Sequence, residues 1–258
     1  MTDRPPFLIN AFPKSGTHLV AQICRPLAEP NPTFAARVGL RPLRYIATHD
    51  YGGWGIRFRQ VGEVLSDLAL LEENQFGAGH LAAMEYVIAW IEKHSVPMIF
   101  VYRDLRDIAV SETYHIEAPK DFLYHPYKKK FNRLADHQER LRAVICGYDG
   151  YPGLRFRWEQ YAAWLDFEWI LPVRFRDARL EPKQTAQAIL GYLEWRTGIH
   201  YDEGFVDLMV KSITPSGSPT FRKGRVGDWK EEFDEETGAA AERELGDWTR
   251  ELGFDGEG

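Results

Sequence analysis

The chain has little of the features that mark several common classes of protein. Only two of its 258 residues are cysteine, Cys24 and Cys146, which is too few for a disulfide framework and favours a reducing compartment. No segment approaches the roughly 20 consecutive apolar residues of a membrane span. The polar start at residues 1–6 carries no signal-peptide core. We therefore expect a cytoplasmic protein.

Positive charge is also scarce. Lysine and arginine number 32 against 38 aspartate and glutamate residues, for a net charge of −6, which argues against a nucleic-acid binder because such proteins usually present a basic face. The lysine triplet 128–130 is a local exception that is typical of a solvated face, with contact to an acidic acceptor as the alternative. No Cys/His cluster has the spacing of metal ligands.

Short apolar runs alternate with segments of helical periodicity along the chain. The pattern predicts strands at 7–12, 43–48, 96–102 and 169–175, and helices after the turn at 13–17 and at 81–93, 105–116, 131–145, 158–167 and 182–195. Residues 51–79 read as loop, helix and loop because of their glycines. The 44% of hydrophobic residues suffice to form one sizeable core, and we expect a single domain, 1–258. The alternation predicts an α/β fold with a central parallel β-sheet flanked by helices in three layers.

The first predicted strand runs into a turn with the chemistry of a phosphate loop. Backbone N–H groups at the start of the following helix make an anion site, and Gly16 lets the main chain approach a phosphate closely. Lys14 adds a mobile charge, and Ser15 and Thr17 add hydroxyl donors. The usual nucleotide loop is longer and places lysine after a glycine-rich gap. The alternative is a plain helix start with a solvated lysine.

Three segments together resemble the PAPS-dependent sulfotransferases, PAPS being 3′-phosphoadenosine 5′-phosphosulfate. Residues 12–17, Phe-Pro-Lys-Ser-Gly-Thr, match the first signature of that family. Residues 103–111 match its Arg-x-x-x-Asp-x-x-x-Ser pattern, and residues 222–229 match its Arg-Lys-Gly-x-x-Gly-Asp-Trp segment. The three matches occur in the family order between residues 7 and 230, so the resemblance covers most of the chain. It implies a P-loop-like fold and sulfuryl transfer from PAPS, leaving PAP, to a hydroxyl or amine.

The resemblance also implies which residues form the site, without a metal. The 5′-phosphosulfate is expected over the loop 14–18, with Lys14 stabilising charge on the bridging oxygen of the leaving phosphate. Ser111 is expected to hold the Lys14 ammonium away until the acceptor is present. The residues expected to bind the nucleotide are Lys14, Ser15, Gly16, Thr17, His18, Arg103, Ser111, Phe175, Arg222, Lys223 and Gly224, with the 3′-phosphate on the arginines, Ser111 and the Lys-Gly pair.

The catalytic base is one of eight histidines. The resemblance points to His80, in Gly79-His80-Leu81, expected to open the helix before the strand 96–102. A histidine suits this role because its pKa near neutrality lets it take and release the proton of the acceptor. His49, at the end of the predicted strand 43–48, is the rival base, and a helix-capping histidine is the structural alternative for His80.

Departures from the cytosolic hormone and phenol sulfotransferases bear on substrate and assembly. Leu19 stands where they carry a tryptophan that stacks on adenine, Phe175 replaces a tyrosine near the same ring, and Ala78 replaces a lysine. Their C-terminal dimer motif is absent, so the oligomeric state stays open. The expected acceptor is a small molecule, lipid or carbohydrate. Aromatic side chains expected to cover the site suit a sugar or an apolar acceptor: Tyr45, Tyr51, Trp54, Phe76 and Tyr86.

Two other functions remain open from the sequence. A catalytically idle protein that binds PAP or another nucleotide as a scaffold would keep the fold without the chemistry. A small P-loop kinase would share the strand, loop and helix, but it should carry the longer glycine loop and a metal-binding carboxylate.

Overall fold

The computed structural model describes residues 4–30, 46–52, 55–118, 125–202, 204–214 and 224–255. The described residues fall into two compact units. The first comprises the described parts of Met1–Thr48, Arg59–Tyr102 and Tyr161–Phe221, and the second those of His49–Phe58, Arg103–Gln160 and Arg222–Gly258. The prediction of a single domain over residues 1–258 stays a prediction.

The described residues form short strands and longer helices that alternate along the chain. The strands are β1 (Phe7–Ala11), β2 (Glu29–Pro30), β3 (Ile46–Ala47), β4 (His49–Gly52), β5 (Gly55–Phe58), β6 (Gln75–His80), β7 (Met98–Tyr102), β8 (Gly147–Tyr148), β9 (Tyr151–Pro152) and β10 (Ile170–Arg174). The α-helices are α1 (Thr17–Cys24), α2 (Val61–Leu68), α3 (Glu85–Lys93), α4 (Leu105–Glu117), α5 (Lys128–Phe131), α6 (His137–Cys146), α7 (Leu154–Ala162), α8 (Phe175–Leu180), α9 (Pro182–Thr197), α10 (Gly204–Lys211), α11 (Trp229–Glu232) and α12 (Glu235–Glu251).

The first unit is built on a parallel sheet in the order β10-β7-β1-β6-β2, with β3 also paired to β6. Strand β1 lies in the middle and pairs in parallel with β6 on one side and β7 on the other. Every residue of β1 is buried, which requires cover on both faces of the sheet. The predicted fold class, a central parallel sheet flanked by helices, is confirmed.

Alternate residues of the strands supply the core on one face of this sheet. Phe7, Ile9 and Ala11 belong to a buried cluster that also takes residues from α1, α9 and the strands beside β1. Their partners in register, such as Ile99 opposite Ile9, point to the same face because neighbouring strands are parallel and in phase. Pro182 begins α9, as expected, since proline has no N–H to leave unpaired in a first turn.

Strand β6 corrects one sequence prediction. Residues 75–79 were expected in a loop and His80 at the start of a helix, yet residues 75–80 form a strand and α3 begins only at Glu85. One of the glycines that suggested a break, Gly79, has a packing role instead. A Cβ on Gly79 would lie 3.1 Å from the carbonyl oxygen of Ile46, so the absence of a side chain lets β3 pair closely with β6.

The region around His49 also differs from expectation. The described part of the predicted strand 43–48 is β3, and residues 43–45 lie outside the described residues. His49 begins β4, which pairs with β5 in an antiparallel hairpin that the sequence analysis does not predict. The strands predicted at 96–102 and 169–175 are confirmed as β7 and β10.

The second unit is mainly helical, and α4, α6 and α12 pack against one another. The predicted helix 131–145 begins only at His137, as α6, because the Asp136 carboxylate accepts the N–H of Glu139 at 2.9 Å and caps the helix there. Phe131 is instead the last residue of α5. The sequence analysis does not predict helices α5, α8, α10, α11 and α12. Among the described residues, no helix has the length and apolar character to cross a membrane.

A buried ion pair lies inside the second unit. Arg157 donates to both carboxylate oxygens of Glu112 at 2.8 Å, and both side chains are almost fully buried. The Tyr151 hydroxyl also donates to Glu112, and the guanidinium of Arg157 lies over the Tyr151 ring at 4.8 Å. These contacts compensate the charge of a carboxylate on the helix that carries Ser111.

Candidate active site

The loop between β1 and α1 has the backbone of an anion-binding turn. Gly16 is the N-cap residue of α1, with φ of 101°, and its carbonyl oxygen accepts the N–H groups of Leu19 and Val20 at 2.9 and 3.3 Å. Lys14 has φ of 71°, in the left-handed region that a residue with a Cβ rarely adopts. Such strain is common where function requires a fixed main-chain path.

Phe175 lies against this loop. A Cβ built on Gly16 would come within 2.3 Å of Cδ2 of the Phe175 ring, and Phe175 is buried as the first residue of α8. Gly16 is therefore required both by its left-handed conformation and by the ring beside it. The predicted role of Phe175 beside adenine stays a prediction, while its packing on the phosphate loop is a contact that the sequence did not show.

Two polar side chains of the segment 14–18, Ser15 and His18, have unusual surroundings. The Ser15 hydroxyl is fully buried with no hydrogen-bond partner among the described residues, which is unusual for a buried polar atom. Burial, with a smaller contribution from the Lys14 charge, lowers the pKa of His18 to about 4. His18 is thus neutral near pH 7 and can donate a hydrogen bond without adding a second charge.

His80 lies at the carboxyl end of β6, and its ring is anchored to β1. The Nδ1 atom is 2.8 Å from the carbonyl oxygen of Ala11, the last residue of β1. Because a carbonyl oxygen only accepts, Nδ1 must carry the hydrogen, and in the neutral ring Nε2 then holds the lone pair. The ring is half-buried and has the tautomer that a general base acting through Nε2 needs.

The backbone around His80 is held by buried side chains of the same unit. The Tyr161 hydroxyl donates to the carbonyl oxygen of His80 at 3.1 Å, and the indole N–H of Trp164 donates to that of Leu81 at 2.7 Å. The Asn10 side chain also bonds Leu81, at 2.8 and 2.9 Å. The polar asparagine in the apolar strand 7–11 was the one available signal of this arrangement, and the sequence analysis did not use it.

In the second unit, Arg103 and the described part of the third motif meet at one carboxylate. Asp107 is buried and accepts the backbone N–H groups of Gly227 at 2.9 Å and Trp229 at 3.2 Å. Arg103 donates to Asp107 at 3.2 Å and to the carbonyl oxygen of Arg225 at 2.7 Å. The second and third motifs are therefore joined at the first turn of α4.

The other predicted residues of the second unit are only partly described. Ser111 lies on α4 one turn beyond Asp107, so the two share a helix face. Gly224 is described, whereas Arg222 and Lys223 lie outside the described residues. The rival base His49 is buried, with its ring edge on Phe58 at 6.4 Å between centroids.

Several secondary expectations are also resolved. Lys128 donates to the carbonyl oxygen of Glu117 and Lys130 to that of Asp149, so these two lysines of the triplet make contacts within the second unit. Leu19 packs at the edge of the buried cluster of the first unit. Phe76 is a core residue stacked on Phe7 and does not cover a site, which corrects that expectation. The side chains of Tyr45, Tyr51 and Trp54 lie outside the described residues.

Within the described residues, no group of three or more His, Cys, Asp or Glu side chains is arranged to hold a metal ion. A parallel sheet, a glycine-containing turn after its central strand and a histidine bound to the end of that strand define a P-loop-like α/β protein. A family model described as "Sulfotransferase domain" matches residues 4–252. The chain belongs to that family, and sulfuryl transfer is its chemistry.

Solved structures share this fold at low sequence identity. A mouse sulfotransferase, SULT7A1, complexed with PAP is 15% identical with a TM-score of 0.65, over 95% of this chain and 85% of that chain. Retinol dehydratase in complex with retinol and PAP is 19% identical with a TM-score of 0.61, over 95% and 82% of the two chains. Retinol dehydratase with androsterone and the inactive cofactor PAP is 16% identical with a TM-score of 0.59, over 95% and 81%. A comparison with curated proteins found no match.

Proposed function

We propose that this protein transfers the sulfuryl group of PAPS to a hydroxyl or amine of a small-molecule, lipid or carbohydrate acceptor. The observation that carries the proposal is the anchoring of His80 Nδ1 on Ala11, three residues before Lys14. This contact supports a base bound at Ala11, at one end of the segment 11–14. At the other end of that segment is Lys14, whose positive charge would stabilise the leaving group. The PAP named in the three similar structures supports the choice of nucleotide, and their retinol and androsterone support a small acceptor.

The loop residues fit a phosphate group. The buried Ser15 hydroxyl needs a partner, the left-handed residues Lys14 and Gly16 shape the backbone, and neutral His18 adds a donor. When bound, PAPS would supply an electrophilic sulfur and a phosphate leaving group. The loop 14–18 would hold the 5′ end of the nucleotide. Arg103, Ser111, Arg222, Lys223 and Gly224 would bind its 3′-phosphate, with Asp107 orienting Arg103.

We assign His80 to proton transfer and Lys14 to stabilisation of the leaving group. Nε2 of His80 takes the proton of the acceptor hydroxyl while Nδ1 keeps its hydrogen on Ala11. The Lys14 ammonium neutralises charge that grows on the leaving phosphate, an interaction stronger in the transition state than in the ground state. A restraint of Lys14 by Ser111 until an acceptor is present is the role that the family resemblance implies for Ser111. The free thiols Cys24 and Cys146 suit the proposed cytoplasmic setting.

Calorimetry with PAP and 5′-AMP tests the nucleotide assignment. Each charge-assisted hydrogen bond to the 3′-phosphate contributes about 1.5–3 kcal/mol, so PAP should bind more than about 10-fold tighter than 5′-AMP. Arg103→Ala should reduce this preference and leave 5′-AMP affinity nearly unchanged. Equal affinity of the wild-type protein for the two nucleotides would refute PAPS as the donor.

Turnover measurements at saturating PAPS test the catalytic residues. His80→Ala should lower turnover by about 10²–10⁴ with little change in PAP affinity. His49→Ala is the matched control, and the opposite result would assign the base to His49. A wild-type protein that binds PAP but transfers nothing to a broad acceptor panel would be the idle scaffold.

Lys14 variants separate binding from rate. Lys14→Ala should cost more in turnover than in PAPS affinity, and Lys14→Arg should recover binding better than rate because a rigid guanidinium cannot follow the developing charge. Near wild-type turnover in either variant would remove Lys14 from the mechanism.

A further inference from the structure

Asn10 is a polar residue in an otherwise apolar strand, Phe-Leu-Ile-Asn-Ala. Its side chain is completely buried in the sheet centre. A buried amide is unfavourable unless its donor and acceptor atoms are paired, so the contacts of Asn10 indicate what it is for. An apolar residue would otherwise serve the core better at this position.

The Asn10 amide pairs with the main chain just after β6 ends. Its Nδ2 donates to the carbonyl oxygen of Leu81 at 2.9 Å, and its Oδ1 accepts the N–H of Leu81 at 2.8 Å. This two-point contact copies the pairing that a neighbouring strand would provide. It satisfies both peptide groups of the residue that follows His80, at the point where the chain turns out of the sheet.

The Asn10 amide oxygen also contacts Ala11, the residue of β1 that binds the His80 ring. Asn10 Oδ1 accepts the N–H of Ala11 at 3.0 Å, and the carbonyl oxygen of Ala11 accepts Nδ1–H of His80 at 2.8 Å. Asn10 therefore holds the backbone beside His80 and the residue that orients the His80 ring. Both restraints act on the direction of Nε2.

We propose that Asn10 is a positioning residue for His80, setting the tautomer and the aim of the ring through Leu81 and Ala11. The inference rests on the proposed function, because it assigns the device that orients the base of that reaction. An amide is required since the site needs one donor and one acceptor. The carboxylate of Asn10→Asp keeps the acceptor for the N–H of Leu81 but has no hydrogen to donate to the carbonyl oxygen of Leu81. The side chain of Asn10→Leu would make neither contact.

Nitrogen-15 NMR of the imidazole rings tests the inference without any turnover. The wild-type protein should show His80 as the neutral tautomer with hydrogen on Nδ1, and Asn10→Asp should mix the two tautomers. A wild-type ring with its hydrogen on Nε2 would overturn the proposal, whether or not the protein proves to transfer sulfuryl groups.

Kinetics then test the positioning role. Asn10→Asp should lower kcat by about 10- to 100-fold, the effect of a small misplacement of a reacting group, and change the KM for PAPS less than about 2-fold. The double variant with His80→Ala should be no slower than His80→Ala alone, because Asn10 acts through His80. Additive losses would overturn the proposal.

Tyr192→Phe is the matched control for a general structural effect. Tyr192 is buried in the same unit and its hydroxyl accepts the N–H of Met98 at 2.7 Å, at the far end of β7 from the carboxyl edge. It should lose stability as Asn10→Asp does but keep kcat. If Asn10→Asp does not fold, Asn10→Ser serves, with the NMR measurement on the wild type as the independent arm. Equal loss of kcat in the Tyr192 control would refute the positioning role. Wild-type protein that fails to bind PAP would refute the proposed function alone.

Discussion

Gly16→Ala is the perturbation whose cost follows most directly from the structure. Gly16 has φ of 101°, a conformation that costs a residue with a Cβ roughly 1–2 kcal/mol. The added methyl group would also lie 2.3 Å from Cδ2 of the buried Phe175 ring, so the ring or the loop must move. Overpacking of this kind costs about 1–3 kcal/mol. The expected loss is therefore roughly 2–5 kcal/mol in the free energy of unfolding.

Urea unfolding followed by tryptophan fluorescence and circular dichroism measures this loss. Gly191→Ala is the matched control, because Gly191 lies inside α9 with nothing within 4 Å of the added Cβ. It should stabilise the protein by about 0.5–1 kcal/mol through helix propensity.

A double-variant cycle with Phe175→Leu separates the two terms for Gly16. The smaller side chain should remove the steric part of the Gly16→Ala penalty and leave the backbone part of roughly 1–2 kcal/mol. If Gly16→Ala costs no more than Gly191→Ala, or if the cycle shows no coupling, the packing of Phe175 on the loop is refuted.

Three further outcomes are expected. Asp107→Asn should weaken PAP binding by about 10-fold or more in calorimetry, because two backbone N–H groups and Arg103 share that carboxylate; unchanged affinity would contradict the link between the motifs. Burial raises the pKa of Glu112, but its ion pair and hydrogen bonds outweigh that effect and hold the pKa below its usual range. Ionised Glu112 therefore stabilises the folded protein at pH values above the pKa of Glu112 in the unfolded chain, and this stabilisation is lost as the pH falls through its lower pKa in the folded protein. Glu112→Gln should flatten the acid side of a curve of unfolding free energy against pH, measured by urea unfolding. An unchanged slope would contradict this. A thiol reagent should modify exposed Cys146 in the native protein and reach Cys24 only on unfolding, since burial raises the pKa of Cys24 and shields it; early labelling of both would contradict that burial.

The features of this protein that depend on local pattern could be predicted from its amino-acid sequence. The apolar run at 7–11 and the Pro-Lys-Ser-Gly-Thr turn predicted β1 and the phosphate loop, since a short buried strand and a glycine turn are encoded by neighbouring residues. The strands 96–102 and 169–175 and the helix 105–116 were predicted for the same reason. The three motifs predicted the family.

The features that depend on residues far apart in the chain became apparent only in the folded structure. The glycines of 75–80 indicated a loop, whereas in the structure Gly79 makes room for the close approach of β3. A strand that needs a small residue resembles a break when only its sequence neighbours are considered. Asn10 and Leu81 are 71 residues apart and Asp107 and Gly227 are 120 apart, so neither pairing leaves a local pattern. The identity of a buried polar residue becomes meaningful only when the fold supplies the peptide groups that it must satisfy.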